Sequence, residues 1–353
     1  MSQFHPIEVA WRQFAANQGR MRMFRECFRR IPATLENLRA HGGITAWPPG
    51  IVLSMAVPAT MAMTAQTRLY PNEPRGPVIP LFREYSNTMH VWAAYRESKT
   101  IYQVEPYLIE CLSRTPWPDG VPAEAIRLTS YCPILEFQWQ GQKTYIAVTY
   151  DIVPEVTGSV SINISHFIPP VPGTDPELLD GQPLWQALSA IMLVRNTLTE
   201  SIEYTARSVN QTFPGHTSFG FLHNELAGLV INLLLYLGGE PDVVRVVHPG
   251  DRPAIRAMQK RDPERYKDLH EPVIDAVGQS FTRAIEHWEI EHAQGSGDVS
   301  GHTVRPHMRR AHAHLYWTGE GRKSPRVRFL LPVSVKSGKL VEEPGSPSVT
   351  AVR

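Results

Sequence analysis

Cysteine is scarce. The three residues present in 353, Cys27, Cys111 and Cys132, are odd in number, widely spaced and free of any CxxC pair. That excludes a disulfide scaffold and a cysteine-built zinc site, and it fits a reducing cytoplasm. No apolar run reaches the roughly 18 residues of a membrane span, and the opening MSQFHPIEVAWRQF lacks the basic-then-apolar pattern of a secretory leader. The chain also lacks a GxxxxGK[ST] loop, a GxGxxG, a GxSxG and an HExxH. The commonest nucleotide-cradling, serine-hydrolase and zinc-protease chemistries therefore have no signal here. A charge excess of one sign is missing too, with 35 Lys+Arg against 34 Asp+Glu.

What is present describes an ordinary globular chain, 42% hydrophobic and 20% charged. The near-zero net charge hides a pattern. Residues 1–41 carry seven Arg and three Glu, and residues 301–353 carry ten Lys+Arg and three Glu. Two basic ends thus flank an acidic middle, and a basic terminal region predicts a polyanion partner, most commonly nucleic acid.

The apolar spacing predicts a helix over 6–40, with Phe24, Cys27, Phe28, Ile31, Leu35 and Leu38 on one face and Arg22, Arg25 and Arg29 on another. Pro32 should kink or divide it. A helix is expected over 101–114. Period-two alternation then predicts a hairpin from 134–139 and 144–150 around a Gln140–Lys143 turn, followed by a strand through Val160, Ile162 and Ile164. The Pro-rich stretch 168–183 reads as a linker. Beyond it, helices are expected over 184–209, over 221–237 as a buried core helix, and over 273–292 as an amphipathic one.

The densest chemistry lies near the end. Arg305-Pro306-His307-Met308-Arg309-Arg310-Ala311-His312-Ala313-His314-Leu315-Tyr316-Trp317 is followed, after a turn holding Arg322, by Pro325-Arg326-Val327-Arg328-Phe329-Leu330-Leu331-Pro332-Val333. The pattern predicts a β-hairpin with strands near 307–317 and 326–333. Strand alternation then sorts the side chains. Arg310, His312, His314 and Tyr316 point one way; His307, Arg309, Ala311, Ala313, Leu315 and Trp317 point the other and pack on the body. Several chemistries fit such a row. His312 and His314 at i,i+2 could share a metal ion, although flanking arginines oppose a dication. Histidine can act as general acid and base on RNA while arginine stabilises a pentavalent phosphate. Arginines and aromatics can bind RNA without chemistry. Pairing of these residues with acids of the helical block would be purely structural.

The run from His307 to Gly319 resembles the C-terminal signature of the type V-A anti-CRISPR family that lowers production of the CRISPR effector nuclease, a Pro-His-x-Arg-Arg-(Ala/Gly)-His-x-His run followed by an aromatic and a Gly. Leu233-Leu234-Leu235-Tyr236-Leu237 with Glu240-Pro241-Asp242, and Val277-Gly278, resemble two further blocks of that family. Ala313 and Gly238 depart from it, standing where a Trp and a Cys are expected. The resemblance implies a protein of plasmids and phages that recognises the nascent effector chain during translation and promotes loss of its messenger RNA.

Taken together, the expectation is an α+β cytoplasmic protein: a central antiparallel sheet, helical segments, and a C-terminal basic β-hairpin packed on a helical block. Its parts would be 1–167 (N-terminal helical segment plus sheet), 184–336 (helical block with the hairpin) and a disordered tail over 337–353. The expected partners are RNA or a ribosome–nascent-chain complex and, by resemblance, the N-terminal peptide of a CRISPR effector, with no membrane, metal or cofactor. His307, Arg309, Arg310, Tyr316, Trp317, Arg322, Arg326 and Arg328 are the candidate nucleic-acid contacts. If the protein is an enzyme, His312 and His314 are the acid–base pair and Arg310 the phosphate stabiliser. The competing readings are a toxin-like ribonuclease and a non-enzymatic protein-binding module.

Overall fold

The structure, a computed structural model, describes residues 4–16, 79–152, 160–168, 184–193, 196–212, 225–239, 242–246, 253–280, 282–283, 286, 307–309, 312–330 and 333–335. The predicted helix beyond residue 16 with its three arginines, the linker after its first residue Ile168, Arg310, and the tail after 336 lie outside the described residues.

The fold is α+β, built on a mixed seven-stranded sheet in the order β5-β4-β3-β2-β1-β7-β6. The predicted hairpin is present as β2 (Pro133–Trp139) and β3 (Gln142–Ile152). Its loop is the two residues Gln140 and Gly141, both left-handed at φ 50° and 78°, the backbone that matches the twist of a tight hairpin. β4 (Val160–Ile168) continues the antiparallel ladder as predicted.

Three expectations are corrected. Residues 101–104 are not helical but belong to β1 (Thr100–Val104), which runs parallel to both β2 and β7 (Val273–Val277). A strand between two others with both faces covered shows little alternation, so its pattern does not separate from a helix. The helix begins only at Pro106, as α3 (Pro106–Ser113), with proline in the first turn where its missing N–H costs nothing. Residues 184–193 form β5 (Leu184–Leu193), not a helix. A register shift opposite Ile164 and Ser165 leaves Leu188 as an extra residue, and a bulge of that kind breaks the period of two so that the apolar spacing imitates a helix. Residues 273–277 are likewise the strand β7; Gly278, at φ 90°, turns the chain into a helical start at Gln279. Through β1 and β7 the sheet is mixed where antiparallel pairing alone was expected.

Alternation along the strands divides the core between the two faces. One face carries Ile134, Ala147, Phe167 and Trp185 against α1 (Pro6–Ala16) and α2 (Ile79–Ser98), packed through Trp11, Phe14, Trp92 and Tyr95. The other carries Leu135, Ile146, Val148, Ile162 and Ile164 against α3, α4 (Leu198–Thr212) and α5 (Glu225–Gly238). α5 is the predicted buried helix. Its one polar core residue, Asn232, donates to the carbonyls of Leu112 and Thr115 at 2.8 and 2.7 Å, pinning α5 to the end of α3. The remaining elements are β6 (Val243–Arg245), α6 (Pro253–Arg261) and α7 (Pro263–Leu269). Among the described residues no helix is long and apolar enough to cross a membrane.

Candidate nucleic-acid interface

The C-terminal hairpin is formed by β9 (His312–Thr318) and β10 (Ser324–Leu330), and its pairing continues in the same register through β8 (His307–Arg309) and β11 (Val333–Val335). The reversal is tight because Gly319, Gly321 and Arg322 all take left-handed backbone; Arg322 N–H donates to the Gly319 carbonyl at 3.0 Å and the Thr318 hydroxyl to that of Ser324 at 3.1 Å. One side of the ladder is seated on the body. Val327 and Phe329 are buried with α5, the Phe329 ring lies 6.0 Å from that of Tyr236, and Ala313 and Leu315 pack on the same core.

The other side faces solvent, as alternation predicts. His312, His314 and Tyr316 form an exposed row, with ring centroids 5.0 Å apart for the first pair and 6.2 Å for the second. Arg328 stands opposite His314 and Arg326 opposite Tyr316, and both are exposed. Side chains directly opposite on one face are neighbours, so imidazoles, a phenol and two guanidinium groups share one surface. Arg322 and Lys323 extend the positive charge into the turn; Glu320 is the one acid among the described hairpin residues. His307 and Arg309 stand opposite Val335 and Val333 in the β8–β11 ladder. This surface suits repeated contact with phosphates and stacking on bases. Among the described residues no three His, Cys, Asp or Glu side chains come together as a metal-holding group.

Trp317 departs from the expectation that its row packs fully on the body: it remains 47% exposed. It forms one wall of an open groove of about 690 Å³ whose other walls include Pro122, Ile126, Arg127, Tyr150 and Asn196. The backbone around the groove is tied together. Pro122 bridges to Thr197, Ala123 N–H donates to the Asn196 carbonyl at 3.2 Å, and Leu198 N–H donates to that of Val121 at 2.7 Å. The Tyr150 phenol accepts from Leu128 N–H at 3.1 Å. Burial pushes that phenol's pKa up, opposed by this N–H and by Arg127. Sequence reasoning missed Arg127, Tyr150 and Asn196, because three segments distant in the chain meet Trp317 only in the folded state.

Two charged clusters lie elsewhere and hold the fold. Glu136 is gripped by His5, Gln103 and Lys143. Lys99, fully buried, reaches Glu8 at 3.2 Å and the carbonyls of Asp268 and His270. Both tie the amino-terminal segment to the sheet.

Residues 102–337 match the AcrVA2-like family, described as the anti-CRISPR type V subtype A2 family. The crystal structure of AcrVA2 superposes on this chain with a TM-score of 0.51 at 19% identity, covering 90% of this chain and 98% of that one. At that identity the likeness shows the fold alone. No curated protein matches the sequence.

Proposed function

Because this chain belongs to the AcrVA2-like anti-CRISPR family, we propose that it is a mobile-element inhibitor acting in the cytoplasm at the level of RNA and translation. In this reading it recognises the amino-terminal peptide of a CRISPR effector on the ribosome and promotes loss of the messenger RNA. The observation that carries the RNA half of the reading is the exposed row of His312, His314 and Tyr316 beside Arg326 and Arg328. Such a surface gains affinity for a polyanion by displacing counterions, and does so without reading a sequence. Arg322, in the turn, extends the same contact.

The test is co-expression with a type V-A effector, following effector protein and messenger RNA together. Wild type should lower both, and an effector transcript without its start codon should escape. Arg326→Ala/Arg328→Ala, matched for thermal stability, should leave the messenger at its uninhibited level. Loss of effector protein with unchanged messenger would overturn the proposal.

The 5.0 Å spacing of the His312 and His314 rings beside Arg328 favours one second reading, metal-independent RNA cleavage with one imidazole as base and the other as acid. Cleavage by the purified protein in a chelator, lost in both His312→Ala and His314→Ala, is its signature.

A further inference from the structure

We infer that the groove beside Trp317 is a base-binding site, which takes one unstacked base of a single-stranded RNA whose backbone runs along the hairpin. The inference rests on the proposal that the hairpin contacts RNA, and it adds a second place, chemically unlike the first.

The groove has the parts such a site needs. An indole face is the best stacking surface a protein offers to a base, and Trp317 keeps 47% of its surface exposed even though its row neighbours Ala313 and Leu315 pack on the core. At about 690 Å³ the groove is of the size that holds a nucleoside-sized ligand. Pro122 and Ile126 give it apolar walls. Asn196 is exposed at its margin, and a carboxamide carries the donor and acceptor that read a base edge. Arg127 adds a cation beside the Tyr150 phenol.

Charge decides for RNA over an apolar peptide. On the hairpin side the exposed ionic groups are Arg322, Lys323, Arg326 and Arg328 against Glu320, while the groove itself sets Arg127 against the acids Asp119, Glu124 and Glu200 at its margin, so the polyanion-attracting charge lies on the hairpin that leads into it. Arg326 and Arg328 lie on the solvent face and Trp317 on the other, but Trp317 pairs with Pro325 at the end of the ladder where the turn begins, so a strand whose phosphates follow the arginines reaches the groove by rounding that edge. There a base can leave the backbone path and enter the groove. The interior of the hairpin offers no comparable opening, since Val327 and Phe329 close it.

The experiment compares binding of a short single-stranded RNA with binding of an abasic strand of the same length and charge, at low salt, by fluorescence anisotropy. Wild type should bind the RNA about 10-fold more tightly than the abasic strand, the order expected for one stacked base. Trp317→Leu should remove that increment and leave abasic binding unchanged, while Trp317→Phe should retain most of it. Asn196→Ala should alter the ranking among homopolymers. Arg326→Ala/Arg328→Ala should weaken both strands together and flatten the salt dependence. Equal wild-type binding of RNA and abasic strands, a comparison that needs no variant, would overturn the groove assignment while leaving the hairpin contact intact. An RNA affinity unchanged in Trp317→Leu would do the same. Absence of binding to either strand at low salt would remove the hairpin reading and this inference with it.

Discussion

Gly239 lies against the backbone carbonyl of Val327 with no room between them for a β-carbon. The end of α5 and the middle of β10 therefore meet backbone to backbone, one turn from the edge-on contact of Tyr236 with Phe329. This close approach seats the hairpin and fixes which of its faces is presented. Gly239→Ala should force the strand outward and cost about 1–3 kcal/mol, as overpacking does. Hydrogen exchange should show where: amides of 324–330 should exchange faster while those of β2 to β4 keep their protection. A uniform rise in exchange would place the seat elsewhere.

The difference between what was legible and what was not follows sequence separation. The β2–β3 and β9–β10 hairpins could be read because period and turn lie within about twenty residues, and because each has one wet face and one dry face. The outward row His312, His314 and Tyr316 comes from the same alternation. β1 and β7 could not be read, since their partners lie far along the chain and burial on both faces removes the alternation. β5 misled because its bulge at Leu188 shifts the apolar spacing to a helical one. The groove had no signal at all: Arg127, Tyr150, Asn196 and Trp317 are brought together by the Pro122–Thr197 bridge and by the docking of the hairpin.

Glu136 supplies an acid-sensitive tether for the amino-terminal segment. Burial by itself would raise its pKa, but hydrogen bonds from His5 and Lys143, with Gln103 behind them, outweigh it and hold the carboxyl at about 2. The folded value lies below the unfolded one, so the contribution is complete above about pH 5 and is lost as the pH falls towards 2. Glu136→Gln should cost about 3 kcal/mol at pH 7. Urea unfolding followed from pH 7 to pH 2.5 should show wild type and variant converging at the acid end. Parallel curves would mean that the group is not held ionised by folding.

Lys99 presents the opposite case, a cation enclosed where α1, α2 and α7 meet. It takes a left-handed backbone at φ 41°, and its ammonium donates to Glu8 at 3.2 Å, to the Asp268 carbonyl at 3.2 Å and to the His270 carbonyl at 2.7 Å. Burial lowers its pKa to about 8, with Glu8 pulling in the other direction. Because the folded value lies below the unfolded one, the unfolded chain binds the extra proton between about pH 8 and 10, and stability from this group rises with pH across that window. Lys99→Met should abolish that rise. It should also cost about 3–5 kcal/mol at pH 7, since it strips the ammonium from a fully buried Glu8 carboxylate and leaves it to Arg12 and Tyr95. Glu8→Gln/Lys99→Met removes both charges and should cost less than Lys99→Met alone, a coupling that a double-mutant cycle measures directly. The cluster packs on the sheet face opposite the one that seats the hairpin. RNA binding by the double variant, measured well below its melting temperature, should therefore equal that of the wild type, and a parallel loss of binding would show that the two faces are coupled through the sheet.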